Sequence, residues 1–262
     1  MSYKIQYVSN LFLDLYKHNF KNILTPSCNN LALLGNISSP SNKLLEDFLK
    51  YVSDNWEKTY IVPGPLEHSS LNLHYKDCIS LLSERICEHN SIELLNNSSV
   101  DIANSDITLC GTTYWPKHPY MQHPAFYEFS HIYLSGHAGL RKLLGRDIEF
   151  WHTEDSTYLR DSIKRKYRRF ILLTHYNPLY AFSDSSATAR MQASNSSNLL
   201  VPPVQIWLSG ASSKTVSGSN PENSDVFFGI NSYCSYKPNP NINKNYSSTT
   251  YTSLRNSSVE LF

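Results

Sequence analysis

The stretch Tyr60–Ser70, YIVPGPLEHSS, joins an apolar run to an abrupt turn. Thr59–Val62 has the β-prone, hydrophobic character of a short buried strand, and Pro63 and Pro65 flank Gly64 directly after it. Because proline cannot donate to a strand ladder and glycine adopts backbone angles closed to other residues, the strand must stop here in a tight turn. We therefore predict a buried strand that presents the residues after the glycine at its end.

Apolar runs of the same character, each bounded by turn residues, recur on both sides of this stretch and predict further short strands. Between the second and third strands, Ser41–Glu57 has apolar residues at helical spacing behind Ser41, a capping residue type. A strand, a helix and a strand in succession indicate a crossover unit with parallel strands. The further predicted strands are Tyr3–Val8, Leu31–Leu34, Phe170–Leu173 and Gln205–Leu208.

Two more helices and a set of short β-prone runs complete the pattern. Leu73–Asn90 has apolar residues on one helical face, and Asp155–Arg169 places Ser156 near a helix start and basic residues near a helix end. Between them, Ile92–Gly111 alternates β-prone runs with turn residues, as hairpins do. The sequence predicts an α/β protein with mixed strands.

Composition and charge narrow the possible functions. The chain has 262 residues, 40% of them hydrophobic, which suffices for one globular domain over residues 1–262. Its net charge of +1 provides no global field for nucleic acid or an anionic membrane. The five cysteines form no Cys-x-x-Cys pair, and no run approaches the roughly 20 apolar residues of a membrane span. We expect a cytoplasmic protein without a membrane span.

The turns that follow the predicted strands form an ordered series. In chain order, they resemble the successive motifs of the calcineurin-like metallophosphoesterases, which are close to S-D-x-H, G-D, G-N-H-E, G-T-T-x-W, T-H and G-H-x-H. The resemblance covers nearly the whole chain, and six motifs in order are far more specific than one. It implies a two-sheet α/β sandwich flanked by helices, with strand ends converging on two metal ions. The matching strings are YVSNLFLD (7–14), LLGNIS (33–38), IVPGPLE (61–67), LCGTTYW (109–115), LLTHYNP (172–178) and WLSGASS (207–213).

The residues at the family's ligand positions have mostly changed type. An amide supplies no negative charge to a dication, and a phenyl ring, a proline or an aliphatic side chain supplies no lone pair. The resemblance therefore implies a vestigial pocket with no catalytic residue, no metal ligand set and no cofactor. Residue by residue, the family's positions fall on Asn10 and Phe12 in the first motif, Asn36 in the second, Pro65 and Leu66 in the third, His175 in the fifth, and Ala211 and Ser213 in the last.

These changes lead to a hypothesis and two alternatives. The hypothesis is a pseudoenzyme that acts as a protein-binding or structural module. If the source is a large virus, it is expected to be a viral component in the host cytoplasm or the virion. One alternative is a residual or rebuilt phosphoesterase, with a single weakly held ion at Asn10, Asn36 and His175. The other is a nucleotide-binding sensor without turnover. A carboxylate-rich pocket near His175 would favour an enzyme, whereas an apolar or plugged cleft would favour the pseudoenzyme.

Several residues near these motifs have more than one interpretation. His175 is expected to be hydrogen-bonded at a strand end rather than to hold a metal. Glu67 and His68 are candidates for an acid/base pair, but adjacent loop residues usually point apart, so we expect both to be solvated. The basic run Arg160–Phe170 is expected to be a solvated helix end, with phosphate or nucleic-acid binding as the alternative.

A loose group of histidines lies between the fourth and fifth motifs. A relocated metal site is one explanation, although the spacings match no metal signature and prolines interrupt the first part of the segment. Ordinary surface histidines are the other explanation. The group comprises His118, His123, His131 and His137.

Overall fold

The computed structural model describes residues 3–15, 19–117, 127–165, 167–180, 193–194, 196–211, 216–219, 226–230, 250–251, 255–256 and 259–260. Within these ranges the helices are α1 Phe20–Ile23, α2 Leu44–Asn55, α3 Tyr75–Ile86 and α4 Gly145–Ser162, with 3-10 turns at Tyr127–His131 and Ser197–Leu199. The strands are β1 Ile5–Val8, β2 Asn30–Leu34, β3 Lys58–Val62, β4 Ile92–Leu94, β5 Ser98–Asp101, β6 Ile107–Thr112, β7 Tyr133–Gly136, β8 Gly139–Lys142, β9 Arg169–Thr174, β10 Val204–Ser209, β11 Val216–Ser219, β12 Phe227–Ile230, β13 Thr250–Tyr251, β14 Arg255–Asn256 and β15 Val259–Glu260.

Most strands belong to two mixed sheets. One has the order β13-β1-β2-β3-β4, in which β1 to β4 are parallel and β13 is antiparallel to β1. The other has the order β11-β12-β10-β9-β6-β5, in which β12, β10, β9 and β6 are parallel and the outer two strands are antiparallel. The parallel strands of each sheet therefore end at one common edge.

Side-chain alternation along the strands builds the layers. In β2, Ala32 and Leu34 face the second sheet, whereas Leu31 and Leu33 face the helices. The inner residues pack with the inner residues of the second sheet, such as Ile171, into one cluster. The result is a two-sheet sandwich with a continuous apolar core.

Helices cover the outer faces of both sheets. The apolar stripe of α2, including Phe48 and Val52, packs with Leu82 of α3 against the outer face of the first sheet. On the second sheet, Leu159 of α4 packs with Phe170 and other outer residues. No helix in the described part of the chain is long and apolar enough to cross a membrane.

The predicted α/β architecture is confirmed, with two local corrections. The predicted cap Ser41 is wrong, since α2 begins at Leu44 and the side chain of Asn42 accepts from the Leu44 N–H at 3.0 Å. The third predicted helix begins at Gly145 rather than Asp155, because its buried stripe already starts at Ile148. Ser156 lies buried in the middle of that helix.

Candidate functional site at the strand ends

The carboxyl ends of the parallel strands converge, and their loops are bonded directly to one another. The Asn10 N–H donates to the Gly35 carbonyl at 3.0 Å, which joins the loop after β1 to the loop after β2. The Gly210 N–H donates to the His175 carbonyl at 2.9 Å, which joins the loop after β10 to the loop after β9. The Ser9 hydroxyl donates to the Gly210 carbonyl at 2.8 Å and links the two sheets.

His175 lies at the centre of this convergence. Its side chain is fully buried, and its Nδ1 lies 2.7 Å from the Leu34 carbonyl oxygen. Because a carbonyl only accepts, Nδ1 carries the hydrogen, and Nε2 keeps a lone pair that has no hydrogen-bond partner among the described residues. Burial lowers the pKa of His175 to about 4, so the ring is neutral at physiological pH. The expected hydrogen bond at a strand end is confirmed.

Two glycines make room for this imidazole. A Cβ on Gly35 would lie 2.5 Å from the His175 Nδ1, and one on Gly64 would lie 3.0 Å from the His175 Cγ. Gly35 also has φ +78°, a left-handed conformation that side chains other than glycine adopt at a cost. The glycines of the second and third motifs therefore serve a packing role in this protein.

The residues at the first two motif positions are buried in left-handed backbone. Asn10, Phe12 and Asn36 have φ values of 57°, 47° and 55°, and none is more than 7% exposed. Asparagine adopts this region readily, whereas for a bulky residue such as phenylalanine it is a true outlier. The Asn36 Oδ1 accepts from the Leu66 N–H at 3.0 Å, so the amide oxygen is engaged with the third motif's loop.

Glu67 forms the most highly bonded group of the site. Its Oε2 accepts from the N–H groups of Gly64 at 2.7 Å and Asn36 at 2.9 Å, and its Oε1 from those of Ile37 at 2.7 Å and Ser38 at 3.2 Å. Successive N–H groups next to left-handed residues form such an anion-binding concavity. Burial raises the pKa of Glu67 to about 7, although the four amides favour the charged form. The expectation that Glu67 is solvated is wrong.

His68, the next residue, faces a different environment. It is 5% exposed and packs among aromatic rings, with centroid distances of 5.3 Å to Trp115 and 6.2 Å to Tyr75. Its Nε2 lies 3.4 Å from the Thr113 hydroxyl, and burial lowers its pKa to about 3. The expectation that His68 is solvated is therefore wrong as well. The separation of the two side chains agrees with the expected divergence, since Glu67 bonds backbone amides and His68 packs on rings.

The remaining motif positions close the site with apolar groups. Pro65 is buried and Leu66 half-buried, and Ala211 packs in an apolar cluster with no exposed surface. The Ala211 carbonyl accepts from the Asn177 side chain at 2.7 Å, whose own oxygen accepts from the Ser209 hydroxyl at 2.6 Å. Sequence reasoning missed this buried Asn177 bridge. Ser213 lies outside the described residues.

Solved structures identify this arrangement of sheets. The crystal structure of the phosphopantetheinyl hydrolase from Mycobacterium tuberculosis matches with a TM-score of 0.65 and covers 90% of each chain at 12% sequence identity. The fold is that of the calcineurin-like metallophosphoesterases. A dimetal phosphatase from Danio rerio aligns with 87% of each chain at 11% identity and a TM-score of 0.42. These identities are low, so the likeness concerns the fold alone.

Sequence comparison adds a viral relative. An uncharacterized protein of Acanthamoeba polyphaga mimivirus is 30% identical over 159 residues. That match covers 58% of this chain and 56% of the relative, so it spans little more than half of the relative's length. No protein-family model matches the chain.

The residues at the centre of this metallophosphoesterase fold do not fit two metal ions. Divalent ions in such centres are held by carboxylates and imidazoles, whose charge and lone pairs offset two dications. Here the positions that the resemblance assigns to ligands carry the uncharged Asn10 and Asn36 and the apolar Phe12, and the Asn36 Oδ1 accepts from the Leu66 N–H. No group of three or more His, Cys, Asp or Glu with metal-binding geometry occurs among the described residues.

The other sequence candidates are separate from this centre. Two arginines of the basic run are held by acidic partners, with Arg168 2.9 Å from Asp101 and Arg169 paired to Asp106 at 2.5 Å. His137 lies in the exposed turn between β7 and β8, and the His131 ring is within 2.8 Å of the neighbouring Ser130 hydroxyl. His118 and His123 lie outside the described residues.

Proposed function

We propose that this chain is a metallophosphoesterase-fold protein without two-metal hydrolase activity, retained as a protein-binding or structural module. The observation that carries the proposal is the chemistry of the first two motifs' ligand positions: Asn10, Phe12 and Asn36 stand there, buried and without charge. Amide and phenyl groups cannot offset the charge of two dications.

Burial of the centre supports the same proposal. Asn10, Asn36, His175 and Ala211 have no exposed surface. Metal-dependent hydrolysis needs a site where a phosphate ester, two ions and an attacking oxygen meet within a few ångströms. A centre whose side chains are packed against one another offers no volume for that assembly.

The viral relative supports a viral origin for this module. A mimivirus protein that is 30% identical over 159 residues makes a role in a virion or in the host cytoplasm the natural setting. The near-neutral net charge favours another protein over nucleic acid as partner.

The direct test measures bound metal and turnover on one sample. Protein purified without chelator is loaded with manganese, its metal content is measured by elemental mass spectrometry, and bis-nitrophenyl phosphate hydrolysis is followed. A metal-dependent phosphodiesterase treated in the same way is the positive control. We expect no stoichiometric metal and no turnover. Two ions per chain with turnover would overturn the proposal.

One observation favours a specific alternative. The buried Nε2 of His175 has no hydrogen-bond partner among the described residues, and a free imidazole nitrogen is the kind of group that binds a single transition-metal ion. One ion per chain, lost in His175→Gln with the fold intact by circular dichroism, would support a single-ion protein. A thermal shift with nucleotides and no product would instead support the sensor alternative.

A further inference from the structure

A cavity separate from the strand-end centre opens between α3, the turn after β4 and α4. Its volume is about 340 Å³, at the lower end of the range that small-ligand sites occupy. Aromatic and charged residues from three distant segments line it, together with asparagines of the turn. The lining residues that matter here are His68, Tyr75, Lys76, Trp115, Trp151 and Glu154.

One wall of this pocket consists of aromatic rings in mutual contact. Trp151 lies 4.7 Å from Tyr75 and 4.9 Å from Trp115 between ring centroids. Both tryptophans are at most 6% exposed, and Tyr75 is half-buried at the rim. Aromatic faces of this kind attract cations through the ring quadrupole, and tryptophan does so most strongly.

The charged groups of the pocket give it a net negative charge, which favours a cationic ligand. Glu154 is exposed and has no ion pair in the described ranges, so its carboxylate is available to a ligand. The buried Asp155 behind it accepts from Asn97 and from the Trp115 N–H and adds a second negative charge. Burial raises the pKa of Asp155 to about 6, which leaves it ionised at pH 7.5. Lys76 is the one positive group among the lining residues.

Lys76 places an ammonium group near one of these rings. Its Nζ lies 6.0 Å from the Tyr75 ring centroid, at the outer limit of a cation–π contact. No carboxylate pairs with this nitrogen among the residues that the structure describes. The chain's own cation therefore occupies the rim weakly and leaves the interior of the pocket open.

His68 provides an unused polar atom at the base of the pocket. The side chain is only 5% exposed, and its Nδ1 has no hydrogen-bond partner among the described residues. The ring is neutral at physiological pH because burial lowers its pKa to about 3. With the Nε2–H donating to the Thr113 hydroxyl, Nδ1 keeps a lone pair that can accept from a ligand N–H, and the ring adds no positive charge.

We propose that this pocket binds an organic cation, an ammonium or guanidinium group whose apolar stem lies on Tyr75 and Trp151 and whose charge faces Glu154. The cation is supplied either by a lysine or arginine side chain of a protein or by a free amine, since both present the same chemistry. The proposal does not depend on the absence of hydrolase activity, because it concerns lining residues outside the metal-ligand positions.

Acetyl-arginine amide is the first probe, with acetyl-citrulline amide as its neutral counterpart of the same shape. Binding is followed by intrinsic tryptophan fluorescence and confirmed by calorimetry. We expect saturable binding of the arginine compound and none, or at least tenfold weaker binding, of the citrulline compound. Equal affinity for both compounds, or no saturation up to about 10 mM arginine compound, overturns the proposal.

Two surface variants give opposite predictions that a structural role alone would not produce. Glu154→Gln removes the facing charge and should weaken arginine binding about two- to fivefold. Lys76→Met removes the competing cation and should strengthen it by a similar factor of about two to five. Both residues are exposed, so both variants should fold. A ligand that is an anion would reverse both signs and refute the proposal.

A third comparison distinguishes the source of the cation. Agmatine represents a free amine, and a peptide with one arginine between glycines represents a protein side chain. Tighter binding of the peptide assigns the site to a protein partner, whereas equal or tighter binding of agmatine assigns it to a small molecule. Failure of both probes to bind overturns the site itself, whatever the outcome of the metal and turnover measurements.

Discussion

Glu67 and His68 are neighbours in the chain, yet they belong to two regions with opposite character. At the strand ends, Glu67 and the groups around it are bonded to backbone atoms and closed to solvent. In the pocket beside α4, Glu154 and Lys76 have no ion-pair partner in the described residues and lie at the surface. Polar groups at the strand ends hold loops together, whereas the exposed charges of Glu154 and Lys76 in the pocket remain available to a ligand.

The largest expected effect comes from breaking the closed region at Gly35. In Gly35→Ala the new methyl group would lie 2.5 Å from His175 Nδ1 and 2.7 Å from the Gly64 nitrogen, in a left-handed conformation. Backbone strain and overpacking together should lower the free energy of unfolding by about 3 to 5 kcal/mol. Urea denaturation measures the change. Gly218→Ala is the matched control, since nothing lies within 4 Å of its added Cβ. Equal midpoints for the two variants would contradict this account of the strand ends.

Glu67→Gln tests the four backbone N–H groups that donate to Glu67, and it changes the side-chain volume less than Gly35→Ala does. The substituted amide group can accept from only some of the four N–H donors and turns its own hydrogens toward the others. Loss of hydrogen bonds in a buried site should lower the free energy of unfolding by about 3 kcal/mol. The exposed Glu88→Gln provides the control and should change it by less than about 0.5 kcal/mol. A Glu67→Gln protein as stable as the control would mean that the hydrogen bonds to Glu67 contribute little to the free energy of unfolding.

His68, at the boundary between the two regions, makes the stability of the protein depend on pH. The folded-state pKa of His68, about 3, lies below its unfolded value of 6.5, so its contribution to stability is lost as the pH falls through that window. His68→Phe lacks this loss. As the pH falls from 6.5 to 4, the free energy of unfolding of His68→Phe should rise relative to that of the parent by about 1.4 kcal/mol for each pH unit. Urea titrations at several pH values measure the difference, and a pH-independent difference would place His68 in contact with water.

Glu67 has the opposite sign in the same experiment. Its folded-state pKa of about 7 lies above its unfolded value of 4.5, so its contribution to stability is present at low pH and is lost as the pH rises through 7. Between pH 4.5 and 6.5, the effects of Glu67 and His68 on the free energy of unfolding therefore offset each other in the parent protein. Each effect is measured alone only in a variant that lacks the other group.

The smallest effect is expected in the open pocket. Glu154→Gln should leave the free energy of unfolding within about 0.5 kcal/mol of the parent, because the carboxylate is exposed and makes no ion pair in the described ranges. Thermal unfolding checks this, and circular dichroism confirms the fold. A loss above about 1 kcal/mol would show that Glu154 is part of the structure and not a free group.

The sequence predicted the strands and the turns well, because both signals are local. Apolar runs defined β2, β3, β9 and β10, and the glycines marked where strands had to stop. The burial of Glu67 was not predictable from neighbouring residues, since its partners are backbone amides that leave no side-chain pattern. One signal existed: Glu67 keeps the type found in the family's G-N-H-E string.

The pocket could not be predicted from sequence, for a different reason. Its residues come from the loop after the third motif, α3, the turn after β4, the fourth motif and α4, and only the tertiary packing brings them together. The residues that were expected to be the start of the third helix, around Ser156, lie in its middle. The segment of α4 that carries Trp151 was therefore missing from the predicted helices.

The left-handed backbone at Asn10 and Asn36 has a consequence for protein engineering. Aspartate tolerates this conformation as asparagine does, so acids at both positions require no new main-chain geometry. Phe12 also has the left-handed geometry, but its ring fills space that an imidazole would need to share with an ion. An attempt to rebuild a metal centre on this scaffold would thus keep the loop backbone as it is. Its substitutions would first replace large side chains by smaller ones, beginning with Phe12.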